Sequence, residues 1–210
     1  PVESARTGEE REFVMPSACP ACGTPAVRLN GEVALRCGNR SSCPAQLKEG
    51  LRHFAARNGM DIRGLGDKII DQLVERGMVR TVGDLYRLRE AALTGLDRLG
   101  EKSAKNLVEA LGKSAGRPLH RLLAALGIRF VGSRGAEILA DAFGSMAALK
   151  ETPQEILAEV SGIGPVMAAS VRSFFLNPEN LRLLEDLASK GLKSAGPSSS
   201  EEIPGPVSPA

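Results

Sequence analysis

Four glycine-containing turns recur along this chain at nearly constant spacing, and that repeat limits its fold more than any other feature. They read Gly64-Leu65-Gly66-Asp67-Lys68, Leu99-Gly100-Glu101-Lys102, Val131-Gly132-Ser133-Arg134 and Gly162-Ile163-Gly164-Pro165. Aligned on the last glycine, positions 66, 100, 132 and 164, the copies are separated by roughly 32 to 34 residues, the interval of a repeat array. Apolar residues at helical spacing flank each copy, so each unit is expected to be helix, tight turn, helix. Tetratricopeptide and ankyrin arrays have similar periods, but the aromatic pattern of the one and the Thr-Pro-Leu-His signature of the other are absent.

The turn chemistry suggests a use. Glycine adopts positive φ readily and has no Cβ, so another backbone can approach closely. The helix that starts at once leaves its first N–H groups unpaired, at the positive end of its dipole. Such a nest suits a phosphate oxygen. Three copies add a cation two residues past the last glycine: Lys68, Lys102 and Arg134. The fourth has Pro165 and Val166 there, so a weaker grip on an anion, or packing alone, is expected of it. Gly64, Gly66, Lys68, Gly100, Lys102, Gly132, Arg134, Gly162 and Gly164 are the candidate contacts. The competing reading is that Gly-x-Gly merely closes an αα-hairpin; four copies with three placed cations favour the anion site.

Composition narrows the function classes. Aromatic residues make up 3% of the chain and Trp is absent, which disfavours the aromatic-walled pocket of a base-flipping enzyme. Leu, Ala and Gly dominate, as expected of small packed helical units. Net charge is +2, but residues 1–16 and 194–210 are each net acidic, so the body between them holds the basic excess and is the part expected to face a polyanion. No apolar run is long enough to span a bilayer and no signal peptide opens the chain, so it reads as cytosolic.

Cys19, Cys22, Cys37 and Cys43 are the only cysteines, spaced C-x2-C, fourteen residues, C-x5-C. That is close to the two-knuckle arrangement of structural zinc. Between the pairs, two alternating runs flank Asn30-Gly31, a strong hairpin signal. Two strands alone are too small to hold together, and one zinc ion bound by four thiolates would staple them. A thioredoxin-like pair at Cys19-Pro20-Ala21-Cys22 would need a βαβ context that is missing, and two disulfides would need a secreted setting. Four protein ligands leave no open position, so the zinc is expected to be structural, not catalytic.

Pro44 opens a helix carrying Leu47, Leu51 and Phe54 or Ala55. The first turn's second helix follows to Arg76, stopped by Gly77. Thr81-Val82-Gly83-Asp84 resembles a capping box for a short helix through Leu88, and Leu96 to Leu111 make the second unit. Pro118 opens the helix before the third turn, whose second helix runs to Phe143. Thr152-Pro153-Gln154-Glu155 supplies a cap, a first-position proline and a reciprocal acid for the helix into the fourth turn. Asn177-Pro178 starts a last helix to Lys190. His53 and His120 lack partner patterns and read as packing or surface residues. The expected organisation is mainly α: residues 1–16 trailing from something upstream, a zinc ribbon at 17–46, four hairpins over 47–193, and a Pro/Gly/Ser-rich linker at 194–210.

Together these residues resemble a known family. Met15-Pro16, Cys19-Pro20-x-Cys22-Gly23, Arg36-Cys37-x-Asn39 and Cys43-Pro44-Ala45-Gln46, then four hairpins, are similar to the zinc-finger and helix-hairpin-helix region of bacterial NAD-dependent DNA ligase. Arg6-Thr7-Gly8-Glu9-Glu10 resembles the end of that family's oligonucleotide-binding domain. Leu126-Gly127-Ile128-Arg129 with Val131-Gly132, and Gly162-Ile163-Gly164-Pro165 with Phe174-Phe175, match its third and fourth hairpins. Phe130 stands where such ligases often have histidine. The resemblance covers residues 6 to about 193, and the linker stands where these enzymes lead into a BRCT domain.

The resemblance implies a parent enzyme that adenylates itself from NAD, passes AMP to the 5′-phosphate of a nick and seals the strand with Mg assistance during replication and repair. The family's Lys-x-Asp-Gly nucleophile motif does not occur here, so NAD and Mg chemistry would belong to other domains, and this chain alone is expected to be no enzyme. Its implied role is a monomeric, sequence-independent grip on nicked double-stranded DNA, in cis with upstream ligase domains, with paired hairpins straddling the minor groove and zinc fixing the angle to the upstream domains. Other readings are a free-standing zinc and hairpin repair or recombination factor, a hairpin glycosylase with Asp186 as its acid, and a protein scaffold. An upstream reading frame carrying Lys-x-Asp-Gly would decide for the ligase.

Overall fold

In a computed structural model the described residues are 7–8, 13–28, 33–39 and 42–193. The expected upstream tail (apart from residues 7–8 and 13–16), the Asn30-Gly31 turn and the 194–210 linker lie outside them. The chain forms two compact units, Pro1–Leu47 and Lys48–Ala210, the division falling within helix α1 (Pro44–Ala55). Among the described residues no helix is long and apolar enough to cross a membrane.

The first unit is a ribbon of β1 (Ala26–Arg28) and β2 (Leu35–Cys37), antiparallel, with Ala26 opposite Cys37 and Arg28 opposite Leu35. A two-residue turn at Asn30-Gly31 would instead set Arg28 opposite Val33. The register kept is the one that carries Cys37 to the other thiols, and Val33 is left exposed. The slip is an even number of residues, so each side chain keeps its face.

The second unit is helical: α2 (Asp67–Glu75), a 3-10 turn (Val82–Arg87), α3 (Glu90–Leu93), α4 (Glu101–Ala115), α5 (Leu119–Ala125), α6 (Ser133–Phe143), α7 (Met146–Glu151), α8 (Gln154–Glu159), α9 (Pro165–Leu176) and α10 (Pro178–Ser189). Four helix pairs enclose the four glycine turns: α1 and α2, α3 and α4, α5 and α6, α8 and α9. The fold is therefore mainly α, a small four-cysteine ribbon followed by four helix-hairpin-helix motifs. Its core repeats with the turns. Four residues past each last glycine stand Ile70, Ala104, Ala136 and Ala168, and seven past stand Leu73, Leu107, Leu139 and Val171, all buried. These offsets lie on one helical face, so each second helix turns the same stripe inward.

Several local expectations hold. Thr81 and Asp84 form a reciprocal capping box, although the element they start is 3-10. Asn177 accepts from Glu179 N–H at 2.9 Å, and Pro178 opens α10. His53 stays at the surface, its exposed ring packed along the chain with Nε2 2.8 Å from the Ala124 carbonyl oxygen. Others are corrected. Thr152 does not cap α8: its hydroxyl donates to the Ala148 carbonyl at 2.7 Å, closing α7, and Pro153 takes the N-cap position. The second hairpin starts with the four-residue α3, and α7 starts at a Ser145 cap that accepts from Ala148 N–H.

The single tyrosine ties the first hairpins together. Tyr86, on the 3-10 turn, meets the Phe54 ring edge-on at 6.3 Å and lies 2.9 Å from Ser114 Oγ. Burial pushes its hydroxyl up to about 12, so it stays a neutral hydrogen-bonding group. The same 3-10 turn meets α10 through Arg87, which pairs with Asp186. Asp186 is thereby a structural anchor, and a Cβ on Gly83 would run into its carboxylate. Gly83→Ala is expected to lower unfolding free energy by about 1–3 kcal/mol, as overpacking does. Urea denaturation checks this; an unchanged midpoint would show that Asp186 yields at no cost.

Candidate metal centre and nucleic-acid interface

The four cysteine sulfurs converge from both ends of the ribbon. Cys19 and Cys22 lie on a tight turn in which Gly23 N–H donates to the Cys19 carbonyl at 2.8 Å, with Gly23 at φ +71. Cys37 ends β2. Cys43 precedes α1, and its carbonyl accepts from Leu47 N–H at 3.0 Å. Gln46 Nε2 donates to the Cys37 and Asn39 carbonyls at 3.1 and 3.0 Å, which holds the second knuckle in shape.

All four Sγ atoms lie within 4.8 Å of one another, with Cys22 to Cys37 at 3.5 Å and Cys19 to Cys43 at 3.9 Å. A tetrahedron of sulfurs about 2.3 Å from a zinc ion has edges of about 3.8 Å, so the residues fit the metal. Their electrostatics fit one as well. The side chain and then the backbone of Thr24 hold the Cys22 thiol down at about 6, while burial pushes Cys37 up to about 11. Four thiols this close cannot all ionise without a cation among them. Cys19, Cys22, Cys37 and Cys43 would hold the ion, which would supply the ribbon's cross-link.

The four hairpin turns share one geometry. Gly66, Gly100, Gly132 and Gly164 are each the N-cap of the second helix, with no side-chain cap, at φ −88, −72, −87 and −79. Each glycine carbonyl accepts from the N–H four residues on, Ile70, Ala104, Ala136 and Ala168, at 2.9–3.0 Å. One residue earlier stands a buried aliphatic anchor: Leu65, Leu99, Val131 or Ile163. Its N–H donates back three residues, to Ile62, Leu96, Ile128 or Val160.

The left-handed residue is not the last glycine, as the turn chemistry alone suggests, but the one two positions before it. These are Gly64 at φ +89, Arg98 at +62, Phe130 at +64 and Gly162 at +89. Two hairpins therefore place a long side chain where the other two have glycine, and nothing in residue spacing announces it. What the last glycines provide is space. A Cβ on Gly66, Gly100, Gly132 or Gly164 would meet nothing within 4 Å. Neither a left-handed backbone nor internal packing requires glycine there.

The flanking charges differ between turns. Lys68, Lys102 and Arg134 are exposed, and Arg134 pairs loosely with Glu137 at 3.2 Å. Asp67 and Glu101 occupy the first helical position of α2 and α4, and Asp67 is held by Arg52 at 3.0 Å. The third turn has Ser133 there, hence no acid. In the fourth, Pro165 removes one N–H and Val166 replaces the cation.

Comparison with known proteins gives the same division. Residues 18–45 match the model of the NAD-dependent DNA ligase C4 zinc finger domain. Residues 60–113 match a SAM-like helix-hairpin-helix tandem and 121–184 a helix-hairpin-helix motif. A DNA ligase of Halalkalibacterium halodurans is 51% identical over 187 residues, 89% of this chain and 28% of that protein. The chain carries the C4 zinc finger of NAD-dependent DNA ligases together with helix-hairpin-helix motifs. A DNA ligase of Bacillus subtilis is 49% identical over 90% of the chain and 28% of its own length, and one of Pelotomaculum thermopropionicum 48% identical over 92% and 28%. The chain thus spans less than a third of the length of the relatives it matches. The matched segments group its hairpins into two tandems, the first and second turns in one and the third and fourth in the other.

Proposed function

We propose that this chain is the part that grips duplex DNA without regard to sequence, in an NAD-dependent ligase that seals nicks in replication and repair. Backbone N–H groups after Gly66, Gly100, Gly132 and Gly164 would take phosphate oxygens, with Lys68, Lys102 and Arg134 adding charge. The observation that carries this reading is the open N-cap glycine: four copies, each anchored from below by a buried aliphatic and clear of any contact above. Contacts from main-chain N–H to phosphate carry no base information, as an enzyme acting on any nick requires. Gly64 and Gly162 would shape the turns without touching DNA. NAD and Mg would act in other domains of the parent, in cis; the zinc here would be structural.

The turns are not equal. The third, with Arg134 and no acid at the first helical position, should hold phosphate best. The second is weaker, because Glu101 opposes an anion there. The first is weakened by Asp67, although Arg52 offsets its charge, and the fourth lacks both a cation and one N–H.

Salt dependence tests the reading. Affinity for nicked duplexes of unrelated sequence should be equal, and log affinity should fall with log salt by roughly 0.9 per phosphate neutralised. Lys102→Ala and Arg134→Ala should each lower that slope by about one and create no base preference. Binding that follows sequence, or slopes unmoved in both variants, would overturn it.

A further inference from the structure

We propose that Phe130 is an apolar wedge that packs against sugar and base edges in the DNA minor groove, beside the phosphate held at Gly132. The inference rests on the DNA-gripping reading above and deepens it.

Phe130 is unfavourably placed twice over. At φ +64 it occupies the left-handed region, where a bulky side chain is strained, and at 52% exposure it receives little burial in exchange. The equivalent residues of the first and fourth hairpins are glycines, so the turn does not need a side chain there. The turn's apolar anchor is its neighbour Val131, which is buried. An outlier of this kind persists when it serves something outside the fold.

Its surroundings point to the groove. Arg129 lies over the ring, its Cζ 4.5 Å from the centroid, which steadies the ring and sets a cation against that face. Gly132, two residues on, opens the N-terminus of α6, so a nucleotide whose phosphate reached those N–H groups would bring its sugar toward residue 130. The third and fourth turns also stand together. A Cβ on Gly135 would meet Met167 Sδ at 3.0 Å, and one on Gly162 would meet Ile138 Cδ1 at 2.7 Å. Adjacent turns that each take a phosphate span the narrow minor groove most easily, and proteins that bind there insert apolar side chains between sugars and base steps. At the fourth turn Val166, 62% exposed, adds a second apolar residue. The second tandem would thus read groove shape where the first, with Arg98, Lys68 and Lys102, relies on charge.

The absence of tryptophan makes a direct test possible. In the Phe130→Trp variant, emission from the only indole should change on titration with nicked duplex, in step with the anisotropy of labelled DNA. Phe130→Gly should be at least as heat-stable as the parent chain, because the strained residue is gone, yet bind roughly tenfold more weakly, the low end of an aromatic–base contact. Its salt slope should match the parent's, since no charge is removed. Normal binding by Phe130→Gly together with unchanged indole emission would overturn the wedge and leave the phosphate reading intact. A slope reduced by about one would also overturn it, by assigning the loss to a phosphate. No binding by the parent chain would overturn both. Should Phe130→Gly unfold, the indole titration decides alone.

Discussion

Chelating zinc, or replacing Cys43 with alanine, is expected to unfold the ribbon of the first unit while the helical circular-dichroism signal of the second changes little. The reason is what the ribbon lacks. Among its described residues only Cys43 is buried; Val27 and Val33 are exposed, and the paired strands are three residues each. A two-stranded ribbon is at best marginal in water even with an apolar face to cover. The stabilisation must come from the cross-link, and apparent zinc affinities of about 10–16 kcal/mol in small four-ligand domains are ample for a segment with so little else. Metal analysis should find about one zinc per chain and none after Cys43→Ala. The amide resonances of Ala26–Arg28 and Leu35–Cys37 should collapse toward random-coil positions on chelation. If they stay dispersed with the metal gone, the four sulfurs are neighbours by packing and the ion is dispensable.

Parts of this arrangement were legible in the residues because their signals are local. The C-x2-C and C-x5-C spacing announces a four-sulfur site without reference to the register of the strands between the pairs. The last glycines at 66, 100, 132 and 164 mark the helix starts because an N-cap belongs to a short stretch of chain. What the sequence hid is set by tertiary contact. The register of β1 on β2 follows the cysteines and not Asn30-Gly31. Thr152 has the right neighbours for a cap, but the end of α7 claims its hydroxyl first. Four residues at Glu90–Leu93 are too few to show a period. Arg98 and Phe130 occupy left-handed positions that propensity assigns to glycine, and only the packing of Leu99 and Val131 beneath the turns imposes it. The last glycines have negative φ, so of glycine's two properties, left-handed freedom and room for a close approach, only the second is the reason they are candidate contacts.

That reason makes the glycines a sharper test than positive φ would have allowed. At φ −72 for Gly100 and −87 for Gly132, in extended backbone, a valine can be built with its Cβ in open space. Its cost to the chain is confined to a poorer N-cap, about 1 kcal/mol, which leaves the helices formed. The effect on DNA should be much larger. A branched side chain at the N-cap stands over the free N–H groups of the first turn and keeps a phosphate from reaching them, while every charge stays in place. Gly132→Val is expected to weaken binding to nicked duplex by more than tenfold, and Gly100→Val by somewhat less, because Glu101 already weakens the second turn. Gly164→Val should have the smallest effect, since Pro165 has removed one N–H and no cation follows. The order matters more than any single value: a general disturbance of the helices would not single out the third turn, and circular dichroism would register it. Folded variants that bind as well as the parent would mean that no backbone approaches these glycines, and the phosphate grip would have to be assigned to the lysines and arginines alone.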